Sequence, residues 1–414
     1  MNILFISTEV PLPLDHGHHL RTYHVLKALA EVHTVHFVAF AQNHSVFNYH
    51  ARLQEICHSV EIFPLRFMGW RQIILLLINL FSPLPLIAQK YYQTDALKYI
   101  KSLIKEASID LIHIDLLHIS RYRKAMKQIP SILVNHNVES LRILRWAKVT
   151  KNPLLKLFLY YQYIKLRRFE RRACREFDYC ITVSDTDRYH LEKLCGINNF
   201  LTIPNGVDIN YFAPEPVKVV PDSLVWTGSM ASPYNCDAVL YFLREIWPII
   251  NQRRPSVYVK FVGNSPPSLL KKLSEVEPRI QYTGYVEDVR PFVAEAQLFI
   301  APIRAGSGTK IKILNAMAQG KAVVTTPVGA EGIDAVPEQE IIIADDPCTF
   351  ADRVVYLLQH PDKAQKLGQR ARKLVERKYD WNSIGQIIRS IYAQFENISN
   401  YNSNMIIDVG ELSG

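Results

Sequence analysis

Short apolar, β-branched runs alternate with longer amphipathic stretches along the first half of the chain: ILFIS from Ile3, VHFVAF from Val35, LIHI from Leu111, SILVN from Ser131 and YCITVS from Tyr179. Runs that are apolar throughout suit strands covered on both faces, and their alternation with helical periods predicts a parallel sheet flanked by helices. The pattern stops at Ile203. There IPNGVDINYFAPEPVKVVPDS is rich in Pro, Asn, Asp and Gly with little periodicity, as an interdomain connection is. It restarts with SLVWTGS from Ser223, VYVKFVG from Val257, IQYTG from Ile280, QLFIAPI from Gln297 and AVVTT from Ala322. The expected fold class is α/β, with two doubly wound domains over 1–203 and 204–382 whose strands end on a shared central cleft. A C-terminal helix from about 383 is expected to pack back on the first domain, and the polar stretch 397–414 is expected to fray.

Length agrees with this division, since 414 residues exceed the roughly 250 to 300 that one core holds. Six cysteines, at 57, 174, 180, 195, 236 and 348, form no C-x-x-C pair and suggest a reducing compartment. The opening MNILFISTEVPL reads as a buried strand rather than a signal peptide. The most apolar run, Ile73 to Phe81, carries Asn79 and runs into Pro83 and Pro85, short of the ~18 residues needed to cross a bilayer. A cytoplasmic protein is expected.

The net charge of +9 suits a phosphate-rich partner, and its distribution is uneven. Lys148, Lys151, Lys156, Lys165, Arg167, Arg168, Arg171, Arg172 and Arg175 face only Glu170 and Glu176 in one segment. Interleaved with Leu154, Leu157, Tyr161 and other apolar residues, this segment reads either as a helix with a cationic face toward anionic lipid, or as a core helix with a solvated basic face. No nucleic-acid recognition module is visible.

Candidate chemistry concentrates at strand ends. AGSGTKIKILNAMAQGKAVV, from Ala305, reads as glycine turn then helix, with amides around Gly308 and Thr309 expected at the helix's positive end as an anion site. At 100° per residue, Lys312 lies about 60° from Asn315 and Gly308 about 20°, so they share a face. Lys312 beside helix amides suits a diphosphate, and Asn315 a sugar hydroxyl; a solvated lysine is the competing reading. Neither a Walker loop nor G-x-G-x-x-G is present. Gly228, Gly263 and Gly284 end other strands, and Asn264 follows Gly263. In the first half, PLPLDHGHHLR places Gly17 at a strand end, while His16, His18 and His19 have weak metal-ligand spacing, so no metal is expected. His136 follows the strand 131–135, with Ser140 or Asn137 expected to cap the next helix. The DTD at Asp185 to Asp187 reads as helix capping.

Together PLPLDHGHHLR, NHNVES at Asn135, VSDTDRYHL at Val183, IPNGVDINYF at Ile203, WTGSM at Trp226, FVGN at Phe261, YTGYVEDVRPF at Tyr282 and GSGTKIKILNAMAQGKAVVTTPVGAEGI resemble glycosyltransferase family 4 across almost the whole chain. The block with Arg304 and Lys312 is most similar to exopolysaccharide-associated sugar transferases. The resemblance implies a GT-B fold of two Rossmann-like domains, and retaining sugar transfer from a UDP- or GDP-sugar to a saccharide or lipid-linked acceptor. It implies no cofactor and no metal; the location expected is cytoplasmic, with contact at the inner face of the plasma membrane as one of the two readings of the Lys148 to Arg175 segment. It assigns His136 and Lys312 to catalysis, and Gly17, Gly228, Gly263, Asn264, Arg304, Ser307, Gly308, Thr309 and Asn315 to nucleotide-sugar binding. Two departures stand out: Ser307 and Asn315 occupy the positions of the family's paired glutamates, and Ser229 stands where a diphosphate-binding arginine is usual. A nucleotide-sugar epimerase and a weakened, non-catalytic sugar- or partner-binding relative are the alternatives.

Overall fold

The computed structural model describes residues 1–14, 16–42, 44–65 and 70–400. A first sheet contains β1 (Asn2–Ser7), β2 (Thr34–Ala41), β3 (Ser59–Pro64), β4 (Leu111–Asp115), β5 (Ser131–Asn135), β6 (Tyr179–Thr182) and β7 (Phe200–Thr202), in the order β3-β2-β1-β4-β5-β6-β7. A second contains β8 (Val220–Thr227), β9 (Tyr258–Val262), β10 (Ile280–Tyr282), β11 (Ala296–Ala301), β12 (Ala322–Thr325) and β13 (Ile342–Ile343), in the order β10-β9-β8-β11-β12-β13. Both are parallel, with Phe5 opposite Phe37 and His113, and Leu298 opposite Leu224 and Ala322.

The two-period of a strand divides the second sheet's core. Leu224 and Trp226 join Phe242, Val259 and Phe261 on one face, while Val225 joins Phe299, Val323, Leu314 and Met317 on the other. Each sheet reverses its winding once, between β1 and β4 and between β8 and β11. Ligands of open α/β sheets bind beyond the strand ends at such reversals.

The chain divides into two compact units, one of Met1–Asn135, Ala173–Ile181 and the residues from Gly385 onward, the other of His136–Arg172 and Thr182–Ile384. Against the expected spans 1–203 and 204–382, the second unit also takes 136–172 and 182–203, which hold helices and the short strand β7. Thus the Glu139–Val149 helix packs in the second unit through Trp146, whose ring meets Tyr234 edge-on at 5.8 Å. In the first unit, the hydroxyl of Tyr392, on the Trp381–Asn400 helix, lies 2.6 Å from His113 Nδ1. The remainder of the tail, from 401, lies outside the described residues.

Candidate functional site

At the winding reversal of the second unit, β8 runs into Gly228, whose amide donates to Val262 O at 2.9 Å, and the Met230 amide donates to Asn264 O at 3.0 Å. The β8 turn therefore lies along the end of β9, and a Cβ on Gly263 would collide with the Gly228 carbonyl. Gly228 has φ +139°, and a Cβ there would meet Lys312 Nζ at 2.5 Å. The missing side chain makes room for the ammonium. Lys312 Nζ donates to Asn235 Oδ1 at 2.8 Å and sits 4.3 Å from the centroid of the Trp226 ring, while Asn235 Nδ2 donates to Ser229 O at 2.7 Å. Burial, reinforced by the charge of Lys310, pushes Lys312 down to about 7.

Lys312 stands on the Ile311–Ala318 helix, which has neither a side-chain cap nor an acidic residue in its first turn. Its positive end is left without a built-in carboxylate, as an anion site requires. The expected register needs correction. Gly308 has φ +71° and Lys310 is the N-cap, so Gly308 and Thr309 precede the helix rather than open it, and the alignment of Gly308 with Asn315 does not apply. Lys312 and Asn315, three residues apart, do share a helix face. Asn315 Oδ1 is a buried acceptor with no hydrogen-bond partner among the described residues. Such an atom costs about 1 to 3 kcal/mol until a donor reaches it.

Other expected ligand side chains are committed elsewhere. Arg304 forks onto Asp237 at 2.7 and 3.2 Å and lies 4.0 Å from the Tyr241 ring centroid. Ser307 Oγ donates to Asp187 Oδ1 at 3.3 Å and accepts the Val138 amide at 3.0 Å. Thr309 Oγ1 faces the carbonyls of Val183 and Gly332 at 3.4 and 3.3 Å. Ser307 and Thr309 thus hold the turn with their side chains.

His136 directly follows β5 and is 9% exposed. A Cβ on Gly308 would lie 2.5 Å from His136 O and 2.8 Å from Asn137 Oδ1, so the histidine loop and the glycine turn meet inside one unit. The Asp185–Cys195 helix is capped by Ser184, which accepts the Asp187 amide, so Asp185 and Asp187 stand in its first turn rather than at the cap where the DTD reading put them. The cap of the Glu139–Val149 helix is different. Neither Ser140 nor Asn137 supplies it; Val138 is the N-cap, and Glu170, on the Pro153–Arg175 helix, accepts the amides of Glu139 and Ser140 at 2.7 and 3.2 Å and the Ser140 hydroxyl at 2.5 Å. Arg145 adds a fork onto Glu331, both bonds 2.5 Å, and donates to Gly306 O at 2.9 Å.

Burial pushes the Glu170 carboxyl up to about 7, with the charge of Glu139 adding to it. A carboxyl raised in the folded state gives stability that is complete below its unfolded value near 4.5 and lost as pH rises through about 7. Glu170→Gln is expected to flatten this slope, a difference on the order of 3 kcal/mol between pH 4 and 9. Unfolding midpoints of both proteins across that range check it, and parallel curves would contradict it.

In the first unit, Gly17 opens the Gly17–Ala30 helix beyond β1, next to the end of β4. Asp115 accepts Thr22 Oγ1 at 2.6 Å and lies 3.5 Å from His18 Nε2, while His18 Nδ1 is 3.5 Å from Glu9 Oε2. Burial opposes the charged imidazole, but Asp115 and Glu9 outweigh it and raise His18 to about 9. Glu9 Oε2 also lies 3.7 Å from His16 Nε2 and 3.4 Å from His19 Nε2, close enough for these three to hold a cation. Histidine spacing alone gave no sign of Glu9.

Residues 17–211 match the family model for Glycosyltransferase Family 4, and residues 221–360 that for Glycosyl transferases group 1. An uncharacterized 44.6 kDa protein in the cps region of Klebsiella pneumoniae is 22% identical over 38% of this chain and 42% of its own length. The phosphatidyl-myo-inositol mannosyltransferase of Mycobacterium tuberculosis is 27% identical over 51% of this chain and 58% of its own. The chain thus spans about half the length of the curated relatives it matches. Among solved structures, sucrose-phosphate synthase from Thermosynechococcus elongatus superposes with a TM-score of 0.71 over 96% of this chain and 99% of its own, at 16% identity. Anabaena HepE in complex with UDP-glucose gives 0.65 over 95% and 100%, at 15% identity. The tandem matches and the two parallel-sheet units agree: the chain belongs to the family 4, group 1 glycosyltransferases and has their GT-B fold.

Proposed function

We propose that this protein transfers a sugar, with retention of anomeric configuration, from a nucleoside-diphosphate sugar to a saccharide or lipid-linked acceptor in the building of a cell-surface polysaccharide. The observation that carries the reading is Lys312, held over Gly228 beside the uncapped helix start, with the unpaired Asn315 oxygen on the same helix face. The diphosphate lies against Lys312 and the helix start, and Asn315 Oδ1 accepts a ribose hydroxyl. Gly228, Gly263 and Asn264 floor the pocket with backbone, while Arg304 borders it through its Asp237 pair. The acceptor hydroxyl attacks the anomeric carbon on the face from which the diphosphate leaves. Its proton passes to the departing phosphate oxygen, whose charge Lys312 meets, and His136 donates to a sugar hydroxyl. No protein nucleophile and no metal take part.

The UDP-glucose bound by HepE and the cps-region setting of the Klebsiella relative support the donor class and the pathway class. Exposed Leu154, Leu157 and Ile164, with the cations of the Pro153–Arg175 helix, support contact with an anionic membrane surface. A thermal-shift screen of UDP, GDP, ADP and their sugars tests the donor, and NMR of the product's anomeric proton tests retention. His136→Ala should lower turnover with the unfolding midpoint unchanged. No stabilisation by any nucleoside diphosphate, or an inverted product, would overturn the proposal.

Proton linkage supplies a further expectation. Because Lys312 is near half-charged at pH 7 in the free protein, a diphosphate that prefers the ammonium raises its pKa and draws in a proton. Affinity for UDP should therefore fall about tenfold per pH unit above 8, while the diphosphate itself stays ionised. Calorimetry in buffers of different ionisation enthalpy reads the uptake; binding without it would contradict the role of Lys312.

A further inference from the structure

The Trp70–Phe81 helix, in the first unit, has its polarity reversed relative to an ordinary surface helix. Among its described side chains the buried one is Asn79, 1% exposed, which donates to Leu84 O at 2.9 Å and to Gln89 Oε1 at 3.0 Å. Its exposed apolar ones are Ile73, Ile74, Leu76, Leu77, Ile78, Leu80 and Phe81, the last 92% exposed. At 100° per residue these cover an arc of about 200°, leaving only the sector of Leu75 and Asn79 against the protein.

We propose that this helix is a bilayer-docking element that lays its aliphatic arc in the acyl region of one lipid leaflet. An apolar segment of this length belongs in a core, in an interface or in a signal sequence, and its exposure removes the first reading. Its place after three strands of a sheet removes the last. Twelve residues span about 18 Å, and no described helix is long and apolar enough to cross a membrane, so the helix lies in the interface. An arc this wide also exceeds the single stripe that a protein groove covers, whereas fluid acyl chains conform to it. Charge points the same way. The sequence holds no charged residue from Gln72 to Gln89, while Arg66 and Arg71 precede that stretch and Lys90 follows it, the order in which cations flank interfacial segments. The driving force is burial of apolar surface and does not depend on the cationic Lys148 to Arg175 segment.

The test uses the full chain with phosphatidylcholine vesicles in 0.5 M salt, conditions that screen contacts made through charge alone. The protein should sediment with the vesicles. Leu77→Glu with Phe81→Glu should lower the partition coefficient roughly tenfold or more. Charge reversal at Arg167, Arg168, Arg171 and Arg172 should leave it unchanged, which separates this inference from the anionic-membrane reading. Leu77→Cys carrying an environment-sensitive fluorophore should shift to the blue on vesicles and be quenched by brominated acyl chains, a readout independent of how the glutamate variant folds. A wild-type chain that stays in the supernatant would overturn the proposal. So would a fluorophore shielded without lipid in a concentration-dependent way, which assigns the surface to a second copy of the chain.

Discussion

Lys312→Ala is expected to lower transfer about 10²- to 10³-fold at saturating donor, the usual cost of removing one donor that meets charge developing in a transition state. The ammonium stands at the meeting of the β8 turn, Asn235 and the helix start, and Gly228 has no side chain to exclude a phosphate from it. Truncation removes a half-buried charge that burial already disfavours, so stability should hold or rise while kcat falls. Lys310→Ala is the control. Its Nζ is turned back onto Gly308 O, 2.6 Å away, and Asp187 and Glu331 partly offset its burial, so its loss should affect the turn more than the chemistry. Steady-state rates of both variants decide the matter, and a Lys312→Ala enzyme within about threefold of wild type would remove the lysine from the mechanism.

Gly308→Ala should abolish most activity by a different route. At φ +71° an alanine costs about 1 kcal/mol in any surroundings. Here its Cβ would also lie 2.5 Å from the His136 carbonyl, a backbone atom on a loop fixed by Ser307 at Val138 and by Glu170 at Glu139 and Ser140. The histidine loop or the glycine turn must move. A loss of about 2 to 4 kcal/mol and a drop in turnover of roughly 10²-fold or more are expected, since a displacement near 1 Å suffices for the latter. Gly284→Ala isolates the backbone term, because φ is +75° there and nothing lies within 4 Å of the added methyl. Unfolding midpoints and kcat for the pair should differ sharply; matching behaviour would mean that the loop yields freely.

Ten strands were legible, most of them as runs of apolar, β-branched residues buried on both faces of a parallel sheet; β10, on an edge, buries only Ile280. The three that escaped lacked that signal. SVEIFP at β3 alternates on an open edge, while β7 has three residues and β13 only two, too short to register. The strand-end glycines, His136 and the Lys312–Asn315 face were legible from position alone. Their supports were not. Glu170 was lost in a run of arginines, and Asn235 and Arg145 became visible only when distant segments met. A glycine that breaks the chain before Ile311, rather than opening its helix, is decided by φ, which the sequence does not carry.

The most direct measurement compares UDP, UMP and uridine by calorimetry at pH 7 on the wild-type chain and on Lys312→Ala. Wild type should bind UDP far more tightly than UMP, or GDP over GMP if guanine is the base, and the variant should lose that preference while keeping its grip on the nucleoside. Equal affinity for diphosphate and monophosphate in wild type, or a preference that survives in the variant, would contradict a diphosphate held at Lys312.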